Sequence, residues 1–186
     1  MDLSGDDLAG VVDLFGALTR SELADALAEL AFKAGEADDP DVFESTIDEA
    51  LRTYHLVAVD DALDDGEGSE GAAERAEGSA ERADGTAARA DGDEEVLLVA
   101  GPVAFPRLPE GATDLPHILD VPERSVDRET AGRAAEARFR SDAASAVGSE
   151  AEDRIATLLD VSYELEAWAP VDLDGARNRL DEALEE

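Results

Sequence analysis

From the start of the chain, apolar residues recur three and four positions apart. Leu8, Val11, Val12 and Phe15 share one helical face, and Ser4 ahead of Asp6 and Asp7 supplies a cap for it. Thr19-Arg20-Ser21-Glu22 is a capping box, its hydroxyl placed for the amide three residues on while Glu22 reaches back. The helix it opens carries Leu23, Leu27, Leu30 and Ala34 on its inward stripe, and Gly35 ends it. Asp39-Pro40 predicts a third helix, because proline is tolerated at the first helical position. Phe43, Ile47, Ala50 and Tyr54 form its inward side.

The period then changes. Residues 55–59 (His-Leu-Val-Ala-Val) and 95–99 (Glu-Val-Leu-Leu-Val) are rich in β-branched side chains and predict two strands of a hairpin with a lengthened loop. Each doubling of loop length costs only about 0.6 kcal/mol, so a long insertion is compatible with a folded hairpin. After Pro102, the prolines at 106, 109, 116 and 122 break the chain into irregular pieces. A helix is predicted from about Asp127 to Val147. Ser149 with Glu152 reads as another capping box, opening a helix with Ile155, Leu158, Leu159, Ser162 and Leu165 on one side and Pro170 as its stop near Trp168. Asp172 or Asp174 starts a last helix with Leu173, Leu180 and Leu184 inward. The expected fold class is mainly α with a small β-hairpin. It divides into a unit at 1–104 with an insertion at 61–93, a Pro-rich irregular connection at 105–126 and a C-terminal helical region at 127–186.

Residues 72–92 read AAERAEG, SAERADG, TAARADG, three copies of a heptapeptide with Arg75, Arg82 and Arg89 in register. A coiled coil would need apolar a and d positions, yet no Leu, Ile or Val occurs there. A glycine also closes every copy, at about 1 kcal/mol each relative to alanine. The segment reads as an acidic low-complexity linker, the alternative being a tail that binds a basic partner.

Composition adds a constraint on the solvent. The chain holds 48 acidic residues against 15 Lys plus Arg, a net charge of -33, and Lys33 is its only lysine. Such self-repulsion is relieved by salt, since the Debye length falls to roughly 3 Å at about 1 M. Acidic excess, depleted lysine, abundant alanine and few aromatics resemble the cytosolic proteins of halophilic archaea. The full chain resembles an uncharacterised haloarchaeal family, a likeness that implies no known activity. The absence of cysteine excludes disulfides, Cys-ligated zinc, iron–sulfur clusters and thiol catalysis. No basic-then-apolar leader pattern appears, and no apolar run approaches the roughly 20 residues that span a bilayer, so a cytoplasmic location is expected.

The order helix, helix, helix, strand, long loop, strand over residues 4–100, with Thr19-Arg20-Ser21-Glu22-Leu23-Ala24 opening the second helix, resembles a winged-helix domain. The resemblance implies that residues 41–54 form the recognition helix. Its outward face holds Asp41, Glu44, Ser45, Asp48, Glu49 and Arg52. Four carboxylates against one arginine do not suit a phosphate-lined groove, where Arg, Lys, Asn and Gln do the reading. Protein docking and dimerisation, which winged-helix units also serve, remain open.

Charge is uneven: -12 over residues 1–60, -10 over 61–106, -2 over 107–142 and -9 over 143–186. In the near-neutral stretch, Glu129, Arg133, Glu136 and Arg140 form a self-neutralising ladder at helical spacing. That leaves Arg107, Arg124 and Arg128 as the candidate contacts to a partner or to nucleic acid. His55 and His117 have apolar neighbours and read as strand or loop residues. Tyr163 and Trp168 read as core aromatics, or alternatively as a partner-facing anchor. No calcium-type loop, strand-to-helix phosphate loop or Gly-x-Ser-x-Gly elbow occurs, and the glutamates of Gly66–Gly71 would repel phosphate. The expectation is therefore a non-catalytic interaction or regulatory module with no cofactor and no metal, binding a protein partner or itself. The alternative is a DNA-binding regulator of winged-helix type using arginines in 107–140. An enzyme would need a deep pocket gathering carboxylates or His117.

Overall fold

A computed structural model describes residues 3–36, 40–60 and 96–185; the acidic linker predicted at 61–93 and Asp39 lie outside the described residues. Ser4 caps α1 (Gly5–Phe15) through a complete capping box with Asp7, and Gly16 follows the helix with a φ of 83°. A strand not foreseen from the sequence comes next, β1 (Leu18–Thr19), too short to carry a period. Thr19 at once becomes the cap of α2 (Arg20–Lys33), and the Thr19/Glu22 box closes as the sequence predicts. Ala34 is exposed rather than part of the inward stripe, because the helix has ended before it. A 3-10 turn at Pro40–Phe43 leads into α3 (Glu44–Arg52), so the third helix is shorter than the sequence suggests.

Strands β2 (Leu56–Asp60) and β3 (Val96–Ala100) pair antiparallel with Leu56 opposite Ala100 and Asp60 opposite Val96. β1 joins the other side of β3, Leu18 opposite Leu98, giving the order β1-β3-β2. The predicted hairpin is thus present, shifted by one residue, as part of a three-stranded sheet. Successive strand residues point to opposite faces. Leu18, Leu56 and Leu98 enter a core with Leu8, Leu23, Leu27, Leu30 and Ile47. Val57, Val59, Leu97 and Val99 enter a second core on the other face. Burial on both faces explains why these strands read as continuous apolar runs without polar alternation.

The second core is built by α5 (Arg128–Gly148), α6 (Glu152–Trp168) and α7 (Asp174–Glu185), after a single-turn α4 (Leu115–Ile118). Asp127 caps α5 by accepting the Glu129 and Thr130 amides, both at 2.9 Å. Ala131, Ala135, Phe139, Ala143 and Ala146 recur every three or four residues along α5 and bring its backbone close to the sheet and to α6. The predicted Ser149/Glu152 box does not form. The Ser149 hydroxyl instead donates back to the Ser145 carbonyl at 2.8 Å, closing α5, and Ala151 starts α6 without a side-chain cap. Leu184 is exposed, whereas Leu173 and Leu180 are buried.

One residue ties the two cores together. Tyr54 lies past the end of α3 with a φ of 63°, a conformation that costs a bulky side chain energy, and this turns its ring away from the first core. The ring packs edge-on to Phe139 at 6.4 Å, and its hydroxyl donates to Asp142 at 2.9 Å. Arg154 binds the same carboxylate at 2.9 Å and the Arg52 carbonyl at 3.2 Å. Burial first, and then the Asp142 carboxylate, push the Tyr54 phenol above its ordinary range, so the hydroxyl remains a donor.

Candidate interaction surface

The Pro-rich stretch is laid across α1 as a strap. The Arg107 amide donates to the Asp6 carbonyl at 3.0 Å, and the Phe105 amide donates to the Asp6 carboxylate at 2.9 Å. Two glycines of the α1 region make room for it. A Cβ on Gly10 would stand 1.9 Å from the Arg107 carbonyl oxygen, and one on Gly16 would stand 2.4 Å from that of Arg124. The Asp6 carboxyl is held below its ordinary range, chiefly by the Phe105 amide; partial burial opposes this, and Arg107 and His55 reinforce it.

The three arginines singled out in the sequence each meet a different partner on this framework. Arg107 is 69% exposed and reaches Asp6 at 3.3 Å. Arg124 is largely buried and binds Glu22, the acid of the α2 capping box, at 2.6 Å. Burial would raise the Glu22 carboxyl, but the Arg124 and Thr19 hydrogen bonds outweigh it and the group lies below its ordinary range. Arg128 donates to the Trp168 carbonyl at 3.2 Å and stands 4.8 Å over the indole ring. Each is therefore engaged within the chain, and Arg124 is largely withdrawn from solvent. Their partners, Asp6, Glu22 and Trp168, are distant in sequence, and no local pattern announces them.

Most of the remaining cations among the described residues are similarly engaged. On α5, Arg133 pairs with Glu129 at 2.8 Å and Arg140 with Glu136 at 2.7 Å, two rungs of the predicted ladder. Arg177 bonds Glu166 and Asp174 and lies 4.4 Å over Tyr163. Tyr163 is exposed, while Trp168 is half-buried against the second core. The carboxylates of Glu166, Asp172 and Asp174 lie within 4.8 Å of one another, and Arg177 supplies their compensating charge. His55 accepts or donates at Thr53 Oγ1, 2.9 Å away, and His117 is exposed on α4.

The outward face of α3 keeps its acidity. Arg20, from the start of α2, bonds both Glu44 and Asp48, and Arg52 folds back onto Glu49 at 2.5 Å. Glu44, Ser45, Asp48 and Glu49 lie along this face, and the two arginines beside them among the described residues, Arg20 and Arg52, are bound to its carboxylates. Large apolar side chains are exposed at other points of the chain: Phe32 at the end of α2, Val42 in the turn before α3, and Phe105 and Leu108 on the strap, with Phe105 at 75% exposure. Single exposed apolar residues are ordinary, but aromatic side chains this open are the type that anchors protein interfaces.

These features define the protein as a mainly helical one whose small three-stranded antiparallel sheet is buried between two helical layers. The chain belongs to the family of unknown function DUF7109, which matches residues 6–185. No curated protein and no solved structure matches it significantly. Among the described residues, no helix is long and apolar enough to cross a membrane.

Proposed function

We propose that this chain is a non-catalytic protein-docking module of winged-helix-like architecture, suited to a high-salt cytoplasm. The observation that carries the reading is the acidic outer face of α3, where both nearby arginines are bound to the helix's own carboxylates. Support for the architecture comes from the order α1, β1, α2, α3, β2, β3. In a DNA-reading version of that arrangement, α3 would meet phosphates, and carboxylates there oppose binding. Exposed Phe32 and Phe105 suit a protein partner instead.

The test is affinity capture of the tagged chain at about 3 M KCl, where the Debye length is below roughly 3 Å and loose ionic association is suppressed. Bound protein and DNA are both identified, and the capture is repeated with Ser45→Lys/Asp48→Lys on α3 and with Phe105→Ser on the strap. The expected result is one defined protein, or a second copy of the chain, whose retention falls at least tenfold with one of the variants. Defined DNA segments retained through Arg107, Arg124 or Arg128 would establish the regulator reading in its place. A stable monomer that retains nothing would end the docking proposal.

A further inference from the structure

A sizeable cavity lies away from α3, between α5 and α7 beside the second core. The last two turns of α5 and the first turns of α7 diverge around a groove of about 630 Å³, within the roughly 300–1,000 Å³ typical of small-ligand sites. Its floor consists of small apolar side chains, Ala143, Ala144 and Val147 from α5 and Ala176 from α7. Gly148 and Gly175 widen it, since no atom lies within 4 Å of where a Cβ on either would stand.

Two guanidinium groups border this floor. Arg140 stands on the α5 side, held by Glu136 at 2.7 Å and by the Asp172 carbonyl at 3.2 Å. Five donors on a guanidinium leave it capacity for a further acceptor. Arg179 stands on the α7 side, exposed. Among the described residues it is the one cation with no carboxylate, carbonyl or ring partner. The nearest wall carboxylate, Asp172, is turned onto its own chain and accepts the Asp174 amide at 3.1 Å. A protein with net charge -33 thus places an unspent arginine at the edge of an apolar groove.

From this juxtaposition we infer that the α5–α7 groove binds a small aliphatic carboxylate, its chain on the alanine floor and its head on Arg179 with help from Arg140. Charge complementarity selects an anion at short range, and the floor selects an aliphatic body over a sugar or nucleotide. The acidic surface repels any anion at long range, so affinity rises with salt as that repulsion is screened. Phosphate-type recognition by exposed arginines has the opposite salt dependence. The inference is independent of the docking role proposed for α3.

The test titrates the full chain with decanoate, below its micelle concentration, by calorimetry and by amide shifts of Ala144, Gly148 and Gly175, at about 0.2 M and 2 M KCl. Decanol is the uncharged control. The expected result is 1:1 binding of decanoate, tighter at the higher salt and at least tenfold tighter than decanol. Arg179→Gln lowers the decanoate affinity on the order of tenfold, the size of one charge-assisted hydrogen bond, and leaves decanol unchanged. Gly175→Leu fills the groove and abolishes both. Because it also replaces glycine by a stronger helix former, loss of binding there is not loss of fold. Arg133→Gln, on the α5 ladder, changes nothing. No shift on adding decanoate, equal binding of decanol, or insensitivity to Arg179→Gln would each overturn the inference.

Discussion

Replacing Gly10 by alanine sets two physical effects against each other with opposite signs. Gly10 lies inside α1, where alanine is favoured over glycine by about 1 kcal/mol, so helix propensity alone predicts a more stable protein. The structure predicts the reverse. The new Cβ would lie 1.9 Å from the Arg107 carbonyl oxygen and 2.4 Å from its carbon, which are backbone atoms that cannot rotate aside. The strap must lift, and lifting it breaks the Arg107 amide to Asp6 carbonyl bond and the Phe105 amide to Asp6 carboxylate bond. Each bond is worth about 0.5–1.5 kcal/mol, with somewhat more for the one to the charged carboxylate, while the Arg107–Asp6 ion pair, mostly solvated, adds little. The net expectation is a destabilisation of about 1–2 kcal/mol, or a fall in Tm of roughly 2–8 °C for a chain of this size. Thermal melts in 2 M KCl measure it, and hydrogen exchange locates it, because the Phe105 and Arg107 amides lose protection. An Asp6→Ala background removes the carboxylate that holds Phe105 and the Arg107 side chain but keeps the Asp6 carbonyl, so Gly10→Ala should cost less there than in the wild type, a non-additivity that marks shared contacts. A rise in Tm of 2–4 °C with unchanged protection of those two amides would refute the close approach and the strap with it.

Two further predictions concern the junctions of the fold. Tyr54→Phe removes one hydrogen bond to Asp142 and keeps the ring on Phe139 and the Arg154 pair, so urea unfolding should show a loss of about 1–2 kcal/mol; an unchanged midpoint would mean that the hydroxyl contributes nothing. Glu22 has a folded-state pKa below its ordinary 4.5, so it binds protons less readily when folded. Its contribution to stability is complete above that value and is lost as pH falls through the folded pKa. Stability measured between pH 6 and 3 should therefore fall less steeply in Arg124→Leu, and a Glu22 carboxyl titrating at or above 4.5 in the wild type would contradict the pairing.

The local signals were legible because they act over three or four residues. Ser4 and Thr19 announce two capped helices, and the β-branched runs at 55–59 and 95–99 a pair of strands, found one residue further on, all from chemistry that needs only near neighbours. What failed was also local in appearance. Ser149 offers the same hydroxyl to either end of a helix, and only the packing of α5 against α6 decides that it closes the first rather than opening the second. Leu18–Thr19 is too short to show a period and becomes a strand because β3 lies beside it.

By itself, then, the chain dictated a mainly helical protein with an acidic surface and a third helix unsuited to phosphate, since charge and short-range periodicity are carried by the residues themselves. Tertiary structure alone decided which cations remain available. Arg107, Arg124 and Arg128 look unspent in sequence because Asp6, Glu22 and Trp168 are 40 to about 100 positions away, and folding spends them. Arg179 looks unremarkable in a strongly acidic segment, yet the divergence of α5 and α7 leaves it at the edge of an apolar groove. Pairing between residues so far apart is set by how helices and strap pack around the sheet, and no window of sequence contains that information.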